Sequence, residues 1–188
     1  MKQKRLTISD SEARKALARV ASHAVANDGE AMVYLGSLRL PKEFGADPHL
    51  ANSIYKKIQS HFCKHVYRST GSTPRYVVVK SEADRNPEYA FCLFTRPNAG
   101  LDKPEDYTER GREIANTKCG QAGWGCGKLD LMELFRDGPR FLLTSQPLRM
   151  TSGNQDAVMN VLQEHLGDRG DHGQSHQRTL FVSKTTTL

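Results

Sequence analysis

The sequence predicts an α+β fold: one antiparallel sheet, two crossover helices on one of its faces, and further helical elements towards the ends of the chain. Three observations carry this. Apolar residues recur at helical spacing in four segments. Short β-branched and aromatic runs, bounded by turn residues, fall between them. The six middle segments follow the order β-α-β-β-α-β, which is the split βαβ, ferredoxin-like order. Such an arrangement leaves the second sheet face for a ligand or for the terminal elements.

The first helix is expected after a cap at Ser9 or Asp10, with Glu12 in its first turn, where a carboxylate suits the helix dipole. Ala13, Ala16, Leu17, Val20, Ala21, Ala24 and Val25 give its apolar stripe, and Asn27-Asp28-Gly29 stops it. Ala31–Leu40 reads as a strand ended by Pro41, which cannot donate to a ladder. Pro48–Arg68 is the clearest helix, with Leu50, Ile54, Ile58, Phe62 and Val66 stepping by four. Ser69–Pro74 is turn chemistry. Arg75–Lys80 and Glu88–Arg96 read as strands joined through the polar Ala83–Pro87 loop. Asp102–Lys118 reads as a helix with Tyr107, Ile114 and Ala115 inward and Pro104 and Glu105 in its first turn.

Gly120–Gly127 carries four glycines and is expected to be irregular; Lys128–Phe135 fits either a strand or a short helix. Arg140–Ser145 is a strand candidate. Gly153–Leu166 is expected to be a helix with Ala157, Val158, Val161, Leu162 and Leu166 inward. Leu180–Val182 has the makings of a short edge strand after a polar Gly/His-rich stretch, 167–177. The expected organisation is a basic arm over 1–8, one α+β domain over 9–166, and a polar tail over 167–188.

Composition sets the frame for function. The 188 residues suffice for one domain, 37% are hydrophobic and 26% charged, and a chain of that length buries roughly 70% of its unfolded surface. No apolar run approaches the ~20 residues of a membrane span, and the basic Met1–Lys15 stretch has no apolar segment behind it, so no secretory signal is expected. Four scattered cysteines do not make a disulfide framework. The expected location is therefore the cytoplasm.

The net charge of +6 is unevenly spread. Between Asp47 and Glu82 there is no acidic residue, while Lys56, Lys57, Lys64, Arg68, Arg75 and Lys80 all fall there. On the Pro48–Arg68 helix, Lys57, His61, Lys64 and Arg68 lie three or four apart and so share one stripe. Cations on one ridge repel each other unless an anion lies alongside, and a phosphate backbone meets that need with release of counterions. A plain solvated helix face is the competing reading. The candidate nucleic-acid contacts are Lys56, Lys57, His61, Lys64, Arg68, Arg75 and Lys80, with Lys2, Lys4 and Arg5 as an arm. Trp124, among the glycines, would either stack on a base or plug the core edge.

Other chemistries find less support. Cys63, His65, Cys92, Cys119 and Cys126 lack the paired spacing of a zinc site. The 120–127 glycines precede Lys128 but lack the P-loop pattern, because Leu129 follows. There is no GxSxG elbow and no HExxH. Glu82, Asp84 and Glu88 read as a solvated hairpin cluster, and His165, His172 and His176 as exposed histidines. No cofactor and no metal are expected.

Four pieces invite a family comparison: Tyr34–Pro41 (YLGSLRLP), Ser53–Val66 (SIYKKIQSHFCKHV), Arg75–Glu82 (RYVVVKSE) and Pro87–Phe94 (PEYAFCLF). Together with Tyr107–Cys119, Asp156–Leu166 and Arg178–Lys184 (RTLFVSK), they make the chain from Ala31 to Lys184 resemble the inovirus-type replication proteins of prophages (the YagK/YfjJ-like group), which have the Rep-like HUH fold. That resemblance implies a His-hydrophobe-His metal clamp on the third strand and a tyrosine nucleophile on a late helix. This sequence has Glu88 and Ala90 where the clamp would be, and Met159 and Gln163 where the tyrosines would be. Phosphodiester transfer needs a group to polarise the phosphate and a group to attack it. The resemblance thus implies a catalytically inactive copy that binds nucleic acid, DNA more than RNA, in a phage or mobile element. An alternative is a protein-binding antagonist of a host or rival complex, such as an anti-CRISPR or other anti-defence inhibitor. A third reading, an active metal-dependent nickase, requires Glu88, His61 and Tyr55 or Tyr89 to converge.

Overall fold

The structure, a computed structural model, describes residues 10–81, 86–97, 101, 103–123, 138–167 and 179–182. Helix α1 spans Asp10–Asp28, strand β1 Glu30–Arg39, helix α2 Pro48–Thr70, β2 Arg75–Ser81, β3 Glu88–Thr95, α3 Pro104–Gln121, β4 Arg140–Leu143, β5 Leu148–Thr151, α4 Gln155–Gly167 and β6 Thr179–Val182. A 3-10 turn, Lys42–Ala46, links β1 to α2 and buries Phe44.

The described strands form one sheet in the order β4-β1-β3-β2-β6, with β5 also pairing β1. Every pairing is antiparallel. The 4-1-3-2 part is the arrangement expected of the βαββαβ order. Strand β3 is central and buried on both faces, which explains its unbroken apolar run, Tyr89–Phe94.

Alternation along the strands divides the core in two. Tyr34, Leu38, Tyr89, Phe91 and Leu93 join Ile54, Ile58 and Phe62 of α2 and Ile114 and Ala115 of α3. Val33, Val77, Ala90, Cys92 and Phe94 join Leu17, Val20 and Ala21 of α1 and Val158, Met159 and Leu162 of α4. The terminal helices thus cover the sheet face opposite the crossover helices, and Gln155 Nε2 donates to Ser22 Oγ (3.0 Å) between them.

Several expectations need correction. Leu50 is exposed at 39%; a step of four residues overshoots a turn by about 40°, so a five-member row drifts off the buried face. Ala157 and Val161 of α4 face solvent, and Met159 takes an inward place instead. Gly120 lies in the last turn of α3, which runs on to Gln121. His165 is not simply exposed: its Nε2 lies 3.0 Å from the carbonyl oxygen of Gly36 on β1.

Strand β5 was not anticipated. It continues the path of β4 along the same edge of β1: Gly36 pairs with Leu143, and Val33 with Leu148. Tyr34 and Leu35 therefore face the four residues 144–147, and the edge bulges outward. Thr144 holds the bulge, its hydroxyl accepting from Leu35 N (3.1 Å) and its own N–H donating to Leu35 O (2.8 Å). The arm over 1–8, the stretches 124–137 and 168–178 and residues 183–188 lie outside the described residues.

Candidate nucleic-acid interface

Helix α2 is set down firmly. Asp47 caps it, Oδ1 accepting from His49 N (2.9 Å) and Leu50 N (3.1 Å), and Pro48 occupies the first turn. Gly71, with φ of 70°, closes its C-terminus by donating to Tyr67 O at 2.7 Å. Ala51, Ile54, Tyr55, Ile58, Phe62 and Val66 bind it to the sheet. Lys57, His61, Lys64 and Arg68 are consequently exposed along the outer crest, and Lys56 is exposed beside them.

None of Lys57, Lys64 and Arg68 has an ion pair to a described carboxylate. The neighbouring helix instead adds positive charge. His61 is held below its ordinary titration range by burial first, then by Lys118 of α3, Lys64 and Arg68. His65, whose ring lies 5.5 Å from that of Tyr107, is lowered by burial, then by Arg110 and Arg68, with Glu113 opposing. Glu113 itself is engaged by Arg110 in an ion pair on α3. Lys118 and Arg110 join the field of α2 through the packing of the two helices, which no local sequence pattern records.

On the side of α2 that faces β2 lies an open groove of about 410 Å³, lined among others by Lys56, Lys64, Tyr67, Thr73 and Tyr76. Tyr67 is 52% exposed. The groove shares Tyr67, Thr73 and Tyr76 with a larger cavity that reaches Arg75 at the start of β2.

Arg75 is half-buried there. Lys80 is a correction: it is only 3% exposed. Its cross-strand partner is Tyr89 of β3, so it leaves β2 on the α2 face, beside the stacked Tyr89 and Tyr55 rings, and does not extend the exposed track. Trp124, Lys2, Lys4 and Arg5 lie outside the described residues, as do Glu82, Asp84, Cys126, Lys128, His172 and His176.

The sheet face is covered at Ala90, while Glu88, at the start of β3, is half-buried. Ala90 is 5% exposed and shares its cluster with Met159, Leu162 and Leu166 of α4. The groups of the nickase reading are set apart. Adjacent residues on a strand point to opposite faces, so Tyr89 leaves the sheet on the α2 side and Glu88 on the other. Tyr89 stacks on Tyr55 with ring centroids 4.1 Å apart, and its hydroxyl donates to Asn52 Oδ1 (3.0 Å). Burial raises the Tyr55 phenol well above its ordinary value, while His61 stands on the outer crest.

The described cysteines are also dispersed. Cys63 lies on α2, Cys92 on β3 and Cys119 on α3, each a free thiol pushed up by burial, Cys63 and Cys119 to about 12. Among the described residues no three His, Cys, Asp or Glu side chains gather as metal ligands would, and no described helix is long and apolar enough to cross a membrane. Comparisons with protein families, curated proteins and solved structures give no match.

Proposed function

We propose that this chain binds nucleic acid, DNA in preference to RNA, through the outer crest of α2, and that it does so without cutting it. The observation that carries this is the exposed row Lys57, His61, Lys64 and Arg68, free of described carboxylate partners and reinforced by Lys118. A row of cations three to four residues apart on a straight helix spans about 16 Å, the scale on which successive phosphates of a strand are met. The groove beside it adds Lys56 and the tyrosines Tyr67 and Tyr76, side chains on which unpaired bases stack.

The non-catalytic part of the reading rests on the opposite sheet face. A phosphate cannot approach the face at Ala90 through the apolar layer made by α1 and α4 without displacing Met159 and Leu162. This is the arrangement a degenerate Rep-like protein of a phage or mobile element would have, acting in the cytoplasm of a bacterial host.

Fluorescence anisotropy of labelled single-stranded and duplex DNA, across a salt series, tests the reading. Replacing Lys57, Lys64 and Arg68 together with Ala is expected to weaken binding and to flatten the salt slope by about one unit per lost contact. A parallel nicking assay with Mg²⁺ or Mn²⁺ is expected to stay blank. If the parent chain ignores nucleic acid at low salt and co-purifies with a host complex, the row is instead a protein-docking surface.

A further inference from the structure

A cavity of about 610 Å³ opens where the C-terminus of α1, the C-terminus of α2 and the ends of β2 and β3 meet. Its volume lies within the range of small-molecule sites, roughly 300–1,000 Å³. Two polar atoms of its lining residues are buried without a hydrogen-bond partner among the described residues: Arg75 Nη1 and Thr95 Oγ1. Thr95 is 5% exposed. Buried donors and acceptors are ordinarily satisfied, and leaving one unmade costs free energy.

Charge points the same way. Arg96, also in the lining, pairs with Asp28 (Nε to Oδ1, 3.4 Å). That carboxylate partly neutralises Arg96, whereas Arg75 has no ion pair to a described carboxylate. Burial and the nearby Arg96 both disfavour the charge on Arg75, a penalty that a bound anion would offset. Tyr67 and Tyr76 line the same space. The rim is fixed: Thr70 Oγ1 donates to Val66 O (2.8 Å) and accepts from Ser72 N (3.2 Å).

We propose that this cavity binds one nucleoside monophosphate unit, its phosphate on Arg75 and its base against the tyrosines. The unit is either a free nucleotide or the 5′-phosphorylated end of a strand lying along α2. The first form stands apart from the function proposed above, whereas the second rests on it.

Calorimetric titration of the full chain separates the sources. The probes are AMP, adenosine, inorganic phosphate, and one oligonucleotide with either a 5′-phosphate or a 5′-hydroxyl. AMP is expected to bind, with adenosine about tenfold weaker, the scale of one charge-assisted hydrogen bond. Arg75→Lys, which keeps the charge but loses the planar fork, is expected to lower AMP affinity by a similar factor. Thr95→Val serves as a second, near-isosteric variant and is expected to weaken AMP while leaving the melting temperature unchanged or higher. The Lys57/Lys64/Arg68→Ala variant is expected to hold AMP as the parent does.

Preference for the 5′-phosphate strand, with weak AMP binding, assigns the strand end. Binding of the oligonucleotide without regard to its 5′ group, with no AMP binding, overturns the cavity proposal and leaves the α2 interface standing. AMP binding with no oligonucleotide binding supports the cavity and removes the interface. Equal binding of AMP and adenosine, or no response to either Arg75→Lys or Thr95→Val, overturns the proposal.

Discussion

The Phe141 ring occupies the space that a Cβ on Gly111 would need. The ring, on β4, lies 4.8 Å from that of Phe62 on α2 and 5.6 Å from that of Phe91 on β3. Phe91 in turn lies over Gly36 of β1 in the same manner. Two glycines therefore let a helix and a strand close on one aromatic stack.

Gly111→Ala sets two effects against each other. Helix propensity favours Ala by up to about 1 kcal/mol. Overpacking a tight core costs about 1–3 kcal/mol. The Phe141 ring is 3% exposed and bounded by two other rings, so it has little room to yield. A net loss of about 1–2 kcal/mol is expected in urea unfolding. Gly120→Ala, later on the same helix with open space at its Cβ, is expected to gain up to about 1 kcal/mol. Equal gains at both positions would show that the ring moves aside freely.

Tyr34→Phe removes the acceptor of a buried N–H. The Tyr34 hydroxyl accepts from the N–H of Leu101 at 2.8 Å in a buried setting ahead of α3. The variant leaves that N–H unsatisfied at a cost of about 1–3 kcal/mol. Amide exchange at Leu101 is expected to accelerate by more than the global loss of stability explains.

Asp47→Ala strips the cap from the helix that carries the basic row. The loss of bonds to His49 N and Leu50 N is expected to cost about 1 kcal/mol. Asp47→Ser is expected to restore most of it, and an unchanged urea midpoint for Asp47→Ala would contradict the capping role.

His61 gives the proposed interface a pH signature. Burial and the cations Lys118, Lys64 and Arg68 hold it below its ordinary value of 6.5, so it is neutral at pH 7 in the free protein. An anion on the crest favours the imidazolium and raises that value. Binding then takes up a proton, and affinity for DNA is expected to rise as the pH falls from 7 to about 5.5. His61→Gln should flatten the profile. A parent profile already flat at constant ionic strength would remove His61 from the interface.

The same lowering at His65 affects the fold. Its imidazole resists protonation in the folded state, so the unfolded chain binds more protons just below pH 6.5. Stability is therefore expected to fall as the pH drops from its ordinary value towards the folded one. His65→Gln should reduce that slope in thermal melts taken at stepped pH.

The fold was largely legible in the sequence because its signals are local. The alternation and β-branching of Arg75–Lys80, the buried run of β3 and the four-residue steps of α2 each state their element directly. Strand β5 escaped because Gln146-Pro147 reads as a break, although it is only a bulge in one edge. The crest of α2 was legible for the same local reason. Lys118, Arg110 and Arg96 were not, since only packing brings α3 and the end of β3 towards α2. Lys80 misled because its charge suggests exposure, whereas the alternation of β2 turns it to the covered α2 face, beside Tyr89 and Tyr55.

The bulged edge has a consequence for how copies of this chain meet one another. Residues 144–147 throw the outer row of amide groups out of step between β4 and β5, and Pro147 has no proton to offer. A strand from another molecule laid along that side would find a ladder with a missing rung halfway. Straightening the segment, by deleting two of its four residues, would remove that gap and leave, among the described residues, an unbroken outer row open to pairing.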